Sequence, residues 1–216
     1  GDSWSKGLNV VIYTDANYAS NEVARTGFVL GIQPVGSDVV LPLAWKCLKQ
    51  KTIALSTTES EISALSRAAR ESLSMIHYLN QWLPVDSKVT GLRILADNKS
   101  ANLISSGAAN VRKVRHLVLS QLFIRQLMKQ PELYEAPVDS SISYVESDAN
   151  ISDCLTKVLV EKQLDKLRRL CFMSCPSEDT AACAAKCVDE SCDIDHLMHG
   201  IDVGWYHPDV MNILYP

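Results

Sequence analysis

Short apolar runs and long amphipathic stretches take turns along the chain, and each period predicts an element. "NVVIYT" (residues 9–14) is an unbroken Val/Ile/Tyr run, the mark of a buried central strand. "GFVLGIQ" and "VVLPLAWKCL" follow as second and third strands. Turn residues separate all three closely, which predicts an antiparallel meander. The Pro inside the third run predicts a bent or edge strand, because Pro has no N–H to give to a ladder. From about Thr58 to Leu83 the period changes. Ile62, Leu65, Ala69, Ile76, Leu79 and Leu83 recur at steps of three, four or seven, forming one helical stripe that Pro84 stops. Residues 90–96 read as a fourth strand and "NKSANLISSG" as a short helix closing at Gly107. "HLVLSQLFIRQLMKQ" reads as a helix ended by Pro131, "ISYV" as the last strand, and "NISDCLTKVLVEKQLDKLRRLCFM" as one final helix. The order β-β-β-α-β-α-α-β-α predicts an α/β domain with a mixed five-stranded sheet flanked by helices, spanning residues 1–170.

The polar residues that interrupt this pattern carry the candidate chemistry. Asp15 ends the first apolar run and Asp97 ends the fourth. A carboxylate in such a place is poor for burial unless it is paired or binds a cation. One such Asp alone reads equally as the opening of a turn, since "DAN" is turn chemistry. The recurrence gives the alternative its weight. Glu59 and Glu61 lie in the first turn of the long helix, and Asp153 near the head of the last one. Asp15, Glu61, Asp97 and Asp153 could therefore face one point, with Glu59 as a solvated neighbour. Clustered hard oxygens suit Mg²⁺ or Mn²⁺. Two such ions about 4 Å apart can flank a phosphodiester in an in-line displacement. Asp15, between them, would be the least replaceable ligand.

Composition narrows the setting. With 216 residues and 47% hydrophobic content, the chain can bury one sizeable core with an appendage. There is no apolar stretch of about 18 residues, so no membrane span is expected, and no basic, apolar leader opens the sequence. An intracellular place (cytoplasm, virus-like particle or nucleus) is the expectation. A net charge of −4 argues against generic polyanion binding over the whole surface, so contact with nucleic acid needs locally clustered base. "KCLKQK", "RKVRH" (with Lys113, Arg115 and His116) and "DKLRRL" provide such clusters, each readable also as a solvated face.

Beyond residue 170 the composition shifts. Residues 171–216 hold five of the seven cysteines, Cys171, Cys175, Cys183, Cys187 and Cys192, followed by His196 and His199. Two C-x3-C pairs place thiols on one face of a helix. Zn²⁺ binding, disulfides between paired helices and free thiols all fit this extension. The remaining landmarks take plain readings: Trp45 and Trp82 as core, Cys47 and Cys154 as small apolar fillers, and His77 as a partly buried helix residue.

At the acidic positions the sequence resembles a known family. "YTDANYA", "AWKCLKQKTIALSTTESEISALSRAARE", "LADNKSA", "VRHLVLSQLFIRQ" and "NISDCLTKVL" together are similar to the ribonuclease H domain of copia-type retrotransposon polyproteins. The resemblance runs in order from about residue 9 to 168. It implies a ribonuclease H-like fold and metal-dependent cutting of the RNA strand of RNA–DNA hybrids, using two Mg²⁺ or Mn²⁺ ions. By position it implies Asp15, Glu61, Asp97 and Asp153 as catalytic metal ligands. It further implies Thr57, Thr58, Asn98 and Lys99 along the hybrid's minor groove, and Lys113, Arg115 and His116 on phosphate. Other parts of a retroelement polyprotein, reverse transcriptase included, would be partners. The sequence departs from the family in a shorter loop after Asp15, in "NISD" and "KVL", in a long "YEAPVDSSISYV", and in the cysteine-rich extension. These departures suit a divergent or host-adopted member. Two further functions stay open: a ribonuclease H-fold module that binds nucleic acid or protein without cutting, and a nuclease or transposase acting on DNA.

Overall fold

β1 (Leu8–Asn17) is central, which is why its apolar run is unbroken. It pairs antiparallel with β2 (Arg25–Pro34) on one side and parallel with β4 (Val89–Ala96) on the other. β3 (Leu41–Lys49) continues the antiparallel meander beyond β2, and β5 (Asp139–Tyr144) lies parallel to β4. The computed structural model thus has one mixed sheet ordered β3-β2-β1-β4-β5. It describes residues 7–18, 24–37, 40–51, 53–84, 88–99 and 118–170. All of these fall in the first of two units into which the chain divides, Gly1–Phe172 and Met173–Pro216.

The third strand takes the edge position that its proline predicts. Gly31 pairs with Pro42 and Leu30 with Ala44, so Leu43 is an extra residue at a break in register. Gly31 permits this close approach, since a β-carbon there would stand 2.4 Å from the Leu41 carbonyl oxygen.

α1 (Thr57–Trp82) packs on β1, β2 and β4. Its expected stripe is the buried face: Ile62, Leu65, Ala69, Ile76 and Leu79 join Val10, Ile12, Phe28, Leu30, Leu92 and Ile94 in one core. Trp82 does not belong to it. It is 73% exposed beside Tyr78, because residues 78 and 82 lie off the 62–65–69–76–79 stripe. α2 (Val118–Lys129) packs on α1 and β5, burying Ile124 and Leu127, and Pro131 follows its end as expected.

Two boundaries differ from expectation. β5 starts at Asp139, three residues ahead of "ISYV". The single final helix is two: α3 (Asp153–Thr156) and α4 (Glu161–Leu170). Lys157 between them is extended (φ −125°, ψ 146°), closing α3 with its N–H on the Asp153 carbonyl. The β-branched Val158 and Val160 that follow favour helix weakly and are exposed. The helix expected within 98–107 lies beyond Lys99 outside the described residues, as do Lys113, Arg115, His116 and the cysteines from Cys171 to Cys192.

Candidate active site

Strand register brings the first two acids together. On the parallel β1–β4 ladder the last pair is Thr14 with Ala96. Asp15 and Asp97 are therefore each one residue beyond it, at the same level on adjacent strands. The carboxyl ends of parallel strands are where open α/β sheets place ligands. Asp15 is not at the end of its own strand, since antiparallel pairing with β2 continues through Asn17–Arg25. Its side chain is 1% exposed.

Glu61 arrives from the second turn of α1, whose start is fixed by a cap. Ser56 Oγ accepts from the Glu59 N–H (3.3 Å), while Glu59 Oε2 accepts from the Leu55 N–H (2.7 Å). Glu59 is thus a buried capping residue rather than a solvated neighbour of Glu61. Gln50 anchors the same helix from the end of β3. Its Nε2 donates to Thr26 Oγ1 (3.0 Å), Ser60 O (2.9 Å) and Ser60 Oγ (3.1 Å).

With these supports, carboxylate oxygens of Asp15, Glu61 and Asp97 lie within 4.8 Å of one another. Burial, then the charges of Asp15 and Asp97, pushes the Glu61 carboxyl up to about 8. Its Oε2 is buried without a hydrogen-bond partner. Three carboxylates whose oxygens converge, one of them also carrying an unpartnered buried oxygen, fit a divalent cation better than they fit a water-free core.

Asp153 reaches this group through a lysine. Lys157 Nζ stands 2.9 Å from Asp153 Oδ2, 3.2 Å from Asp97 Oδ2 and 3.3 Å from Asp15 Oδ1. Burial alone would lower the Lys157 ammonium, yet the carboxylates of Asp153, Asp15 and Asp97 hold it above its ordinary range. Burial raises Asp153 to about 6, against the Lys157 hydrogen bond. Its Oδ1 is likewise buried and unpartnered. Thr156 Oγ1 donates to Asp15 Oδ2, and Ser147 Oγ to Asp97 Oδ2 (2.8 Å).

An open cleft of about 480 Å³ is lined by Asp15, Glu61, Asp97, Asn98, Lys99, Tyr144 and Lys157, with Ala16. Asn98 and Lys99 thus stand beside the acids. Thr57 and Thr58 open α1 but do not line this cleft. Sequence reasoning missed Lys157, Thr156 and Gln50. An i,i+4 Asp153–Lys157 pair on one helix face was the available signal for the lysine. His77 is exposed on α1, 3.4 Å from Glu135, away from the acids.

No family model matches the chain. In sequence it is similar to the Retrovirus-related Pol polyprotein from transposon TNT 1-94 of Nicotiana tabacum, 24% identical over 164 residues. The match covers 74% of this chain and 11% of that polyprotein. The chain has a ribonuclease H-like fold and is similar in sequence to a retrotransposon Pol polyprotein. Its likenesses among solved structures are distant. The N-terminal RNase H domain of Rv2228c from Mycobacterium tuberculosis is 18% identical with a TM-score of 0.46, covering 76% of this chain and 98% of that one. LC11-RNase H1, solved with an RNA/DNA hybrid, is 16% identical with a TM-score of 0.48, over 72% and 99%. Among the described residues, no helix is long and apolar enough to cross a membrane.

Proposed function

We propose that this domain is a metal-dependent endonuclease that cuts the RNA strand of RNA–DNA hybrids. The convergence of Asp15, Glu61 and Asp97 within 4.8 Å, with Glu61 Oε2 buried and unpartnered, carries the reading. Those three carboxylates would hold Mg²⁺ or Mn²⁺, and Asp153 would join them in holding a second ion. Bound there, divalent ions supply charge neutralisation at the scissile phosphate and a water acidic enough to attack it. The chain's own residues do the positioning. β1 and β4 hold Asp15 and Asp97 rigidly by their ladder, and the capped start of α1 holds Glu61. Lys99 and Asn98, on the cleft wall, would meet backbone phosphate and a 2′-hydroxyl, a mode that reads hybrid shape rather than base edges. Lys113, Arg115 and His116 belong to the same proposal as phosphate contacts, and the rest of a retroelement polyprotein as the partner in the cell.

A labelled RNA–DNA hybrid, duplex DNA and duplex RNA incubated with Mg²⁺ or Mn²⁺ test this directly. Cleavage of the hybrid's RNA strand alone, abolished by EDTA and by Asp15→Asn or Asp97→Asn, is the expected result. Hybrid binding without cleavage would overturn it in favour of a non-cutting module, and cleavage of duplex DNA in favour of a DNA-directed enzyme.

A further inference from the structure

Lys157 Nζ stands among the carboxylates of Asp15, Asp97 and Asp153. Lys157 divides the cluster in two. Asp15, Glu61 and Asp97 bring oxygens within 4.8 Å of one another without it. Asp153 is joined to Asp15 and Asp97 only through its ammonium. Each half also retains one buried carboxylate oxygen with no partner, Glu61 Oε2 in the first and Asp153 Oδ1 in the second. The residues bearing these atoms are 7% and 1% exposed, so water does not satisfy them freely.

We infer that Lys157 is a tethered cation occupying the Asp15–Asp153 half of the site, so that divalent ions load in sequence. This rests on the metal-dependent reading above. The first ion enters at Asp15, Glu61 and Asp97. A second enters between Asp15 and Asp153 only when the ammonium has moved out. The local structure permits that movement. Lys157 follows the last residue of α3 in an extended conformation, its side chain is 39% exposed, and Val158 beside it is fully exposed. Nothing but the carboxylates holds the ammonium inward among its described contacts. A dication competing for Asp15 and Asp153 must offset the loss of three charge-assisted contacts, and an ammonium left nearby would repel it.

Titration of the full chain with Mn²⁺, without nucleic acid, tests the inference, with free Mn²⁺ counted by electron paramagnetic resonance and heats by calorimetry. The wild type should bind one ion tightly and a second at least about tenfold more weakly. Lys157→Met should strengthen the second ion roughly tenfold or more, the scale for deleting a unit charge a few ångströms from a dication. Lys157→Arg, which keeps the charge, should retain the wild-type pattern. Equal loading of two ions by the wild type, or a second affinity unmoved in Lys157→Met, would overturn the lysine's role and leave the metal site standing. Absence of binding in every variant would overturn the metal reading and this inference with it. Thermal unfolding in EDTA verifies that each variant is folded; Lys157→Gln is read by the same criteria if Lys157→Met is not.

Discussion

Gly27 and Thr156 contest one space. A β-carbon on Gly27 would stand 2.6 Å from Thr156 Cγ2, and 3.1 Å from Leu155 Cβ. Gly27 is also the antiparallel partner of Asp15, and Thr156 Oγ1 donates to Asp15 Oδ2. The bare backbone of β2 therefore lets α3 lie close enough to the sheet to bring Thr156, and with it Asp153 and Lys157, beside the acids. Gly27→Ala should push α3 outward and destabilise by about 1–3 kcal/mol, as overpacking does. It should also weaken Mn²⁺ binding. Thr156→Ser in the Gly27→Ala background removes the clashing methyl and keeps the hydroxyl, so it should restore part of both losses. Calorimetric unfolding of the single and double variants decides it; a double variant no better than Gly27→Ala would show the methyl is not the obstacle.

Glu61 gives a pH dependence with a definite sign. Its carboxyl is pushed from 4.5 up to about 8, first by burial and then by Asp15 and Asp97. A raised acid binds its proton more tightly in the folded state. The stability it confers is present below about 4.5 and is lost as pH rises through about 8. In EDTA, Glu61→Gln should match the wild type near pH 4.5 and exceed it at pH 8. The gap should be a few degrees in Tm, as about 1 kcal/mol gives in a chain of this length. Asp153, raised to about 6, adds a smaller loss of the same sign. Saturating Mg²⁺ should reverse the order at pH 8, since it stabilises only the form that binds it. Thermal scans at both pH values, with and without Mg²⁺, provide the check.

Gln50 ties the end of β3 to the start of α1 through three acceptors and is 9% exposed. Gln50→Leu leaves Thr26 and Ser60 to find other partners in a buried place. The expected cost is about 1–3 kcal/mol. The same loss loosens the helix start that carries Glu61, so Mn²⁺ affinity should fall too. A urea midpoint lowered at constant slope, together with weaker Mn²⁺ binding, is the expected pair of readings. Lower stability with unchanged Mn²⁺ affinity would limit Gln50 to the fold.

The sheet was legible because its strands are long and their signals agree. The unbroken run Val10–Tyr13 suits a strand with neighbours on both sides, and Pro42 suits an edge or a bend, both of which β3 shows. Asp15, Glu61 and Asp97 were legible for a related reason: each follows from its place on an element whose period is clear. The final helix was not, because helical spacing continues through residues 157–160 while Lys157 is drawn to carboxylates contributed by distant strands. Glu59 was misread as solvated because a period shows which face a residue occupies but not that a backbone N–H upstream awaits a carboxylate. Trp82 was misread as core on residue type alone, against its own place off the stripe.

Glu59 and Glu61, two residues apart on α1, separate structure from site. Glu59 Oε2 accepts from the Leu55 N–H and the Glu59 N–H donates to Ser56 Oγ, so its carboxylate serves the helix terminus. Glu61 brings a carboxylate oxygen within 4.8 Å of Asp15 and Asp97, and its Oε2 has no hydrogen-bond partner. Glu59→Ala should cost about 1 kcal/mol of stability through the lost cap and leave Mn²⁺ stoichiometry intact. Glu61→Ala should do the reverse, abolishing the tight Mn²⁺ ion while leaving metal-free stability at pH 8 equal to the wild type or above it. Denaturant melts and Mn²⁺ titrations of the two variants side by side settle the assignment. If Glu59→Ala also lost the tight ion while Glu61→Ala kept it, the two carboxylates would have to exchange roles.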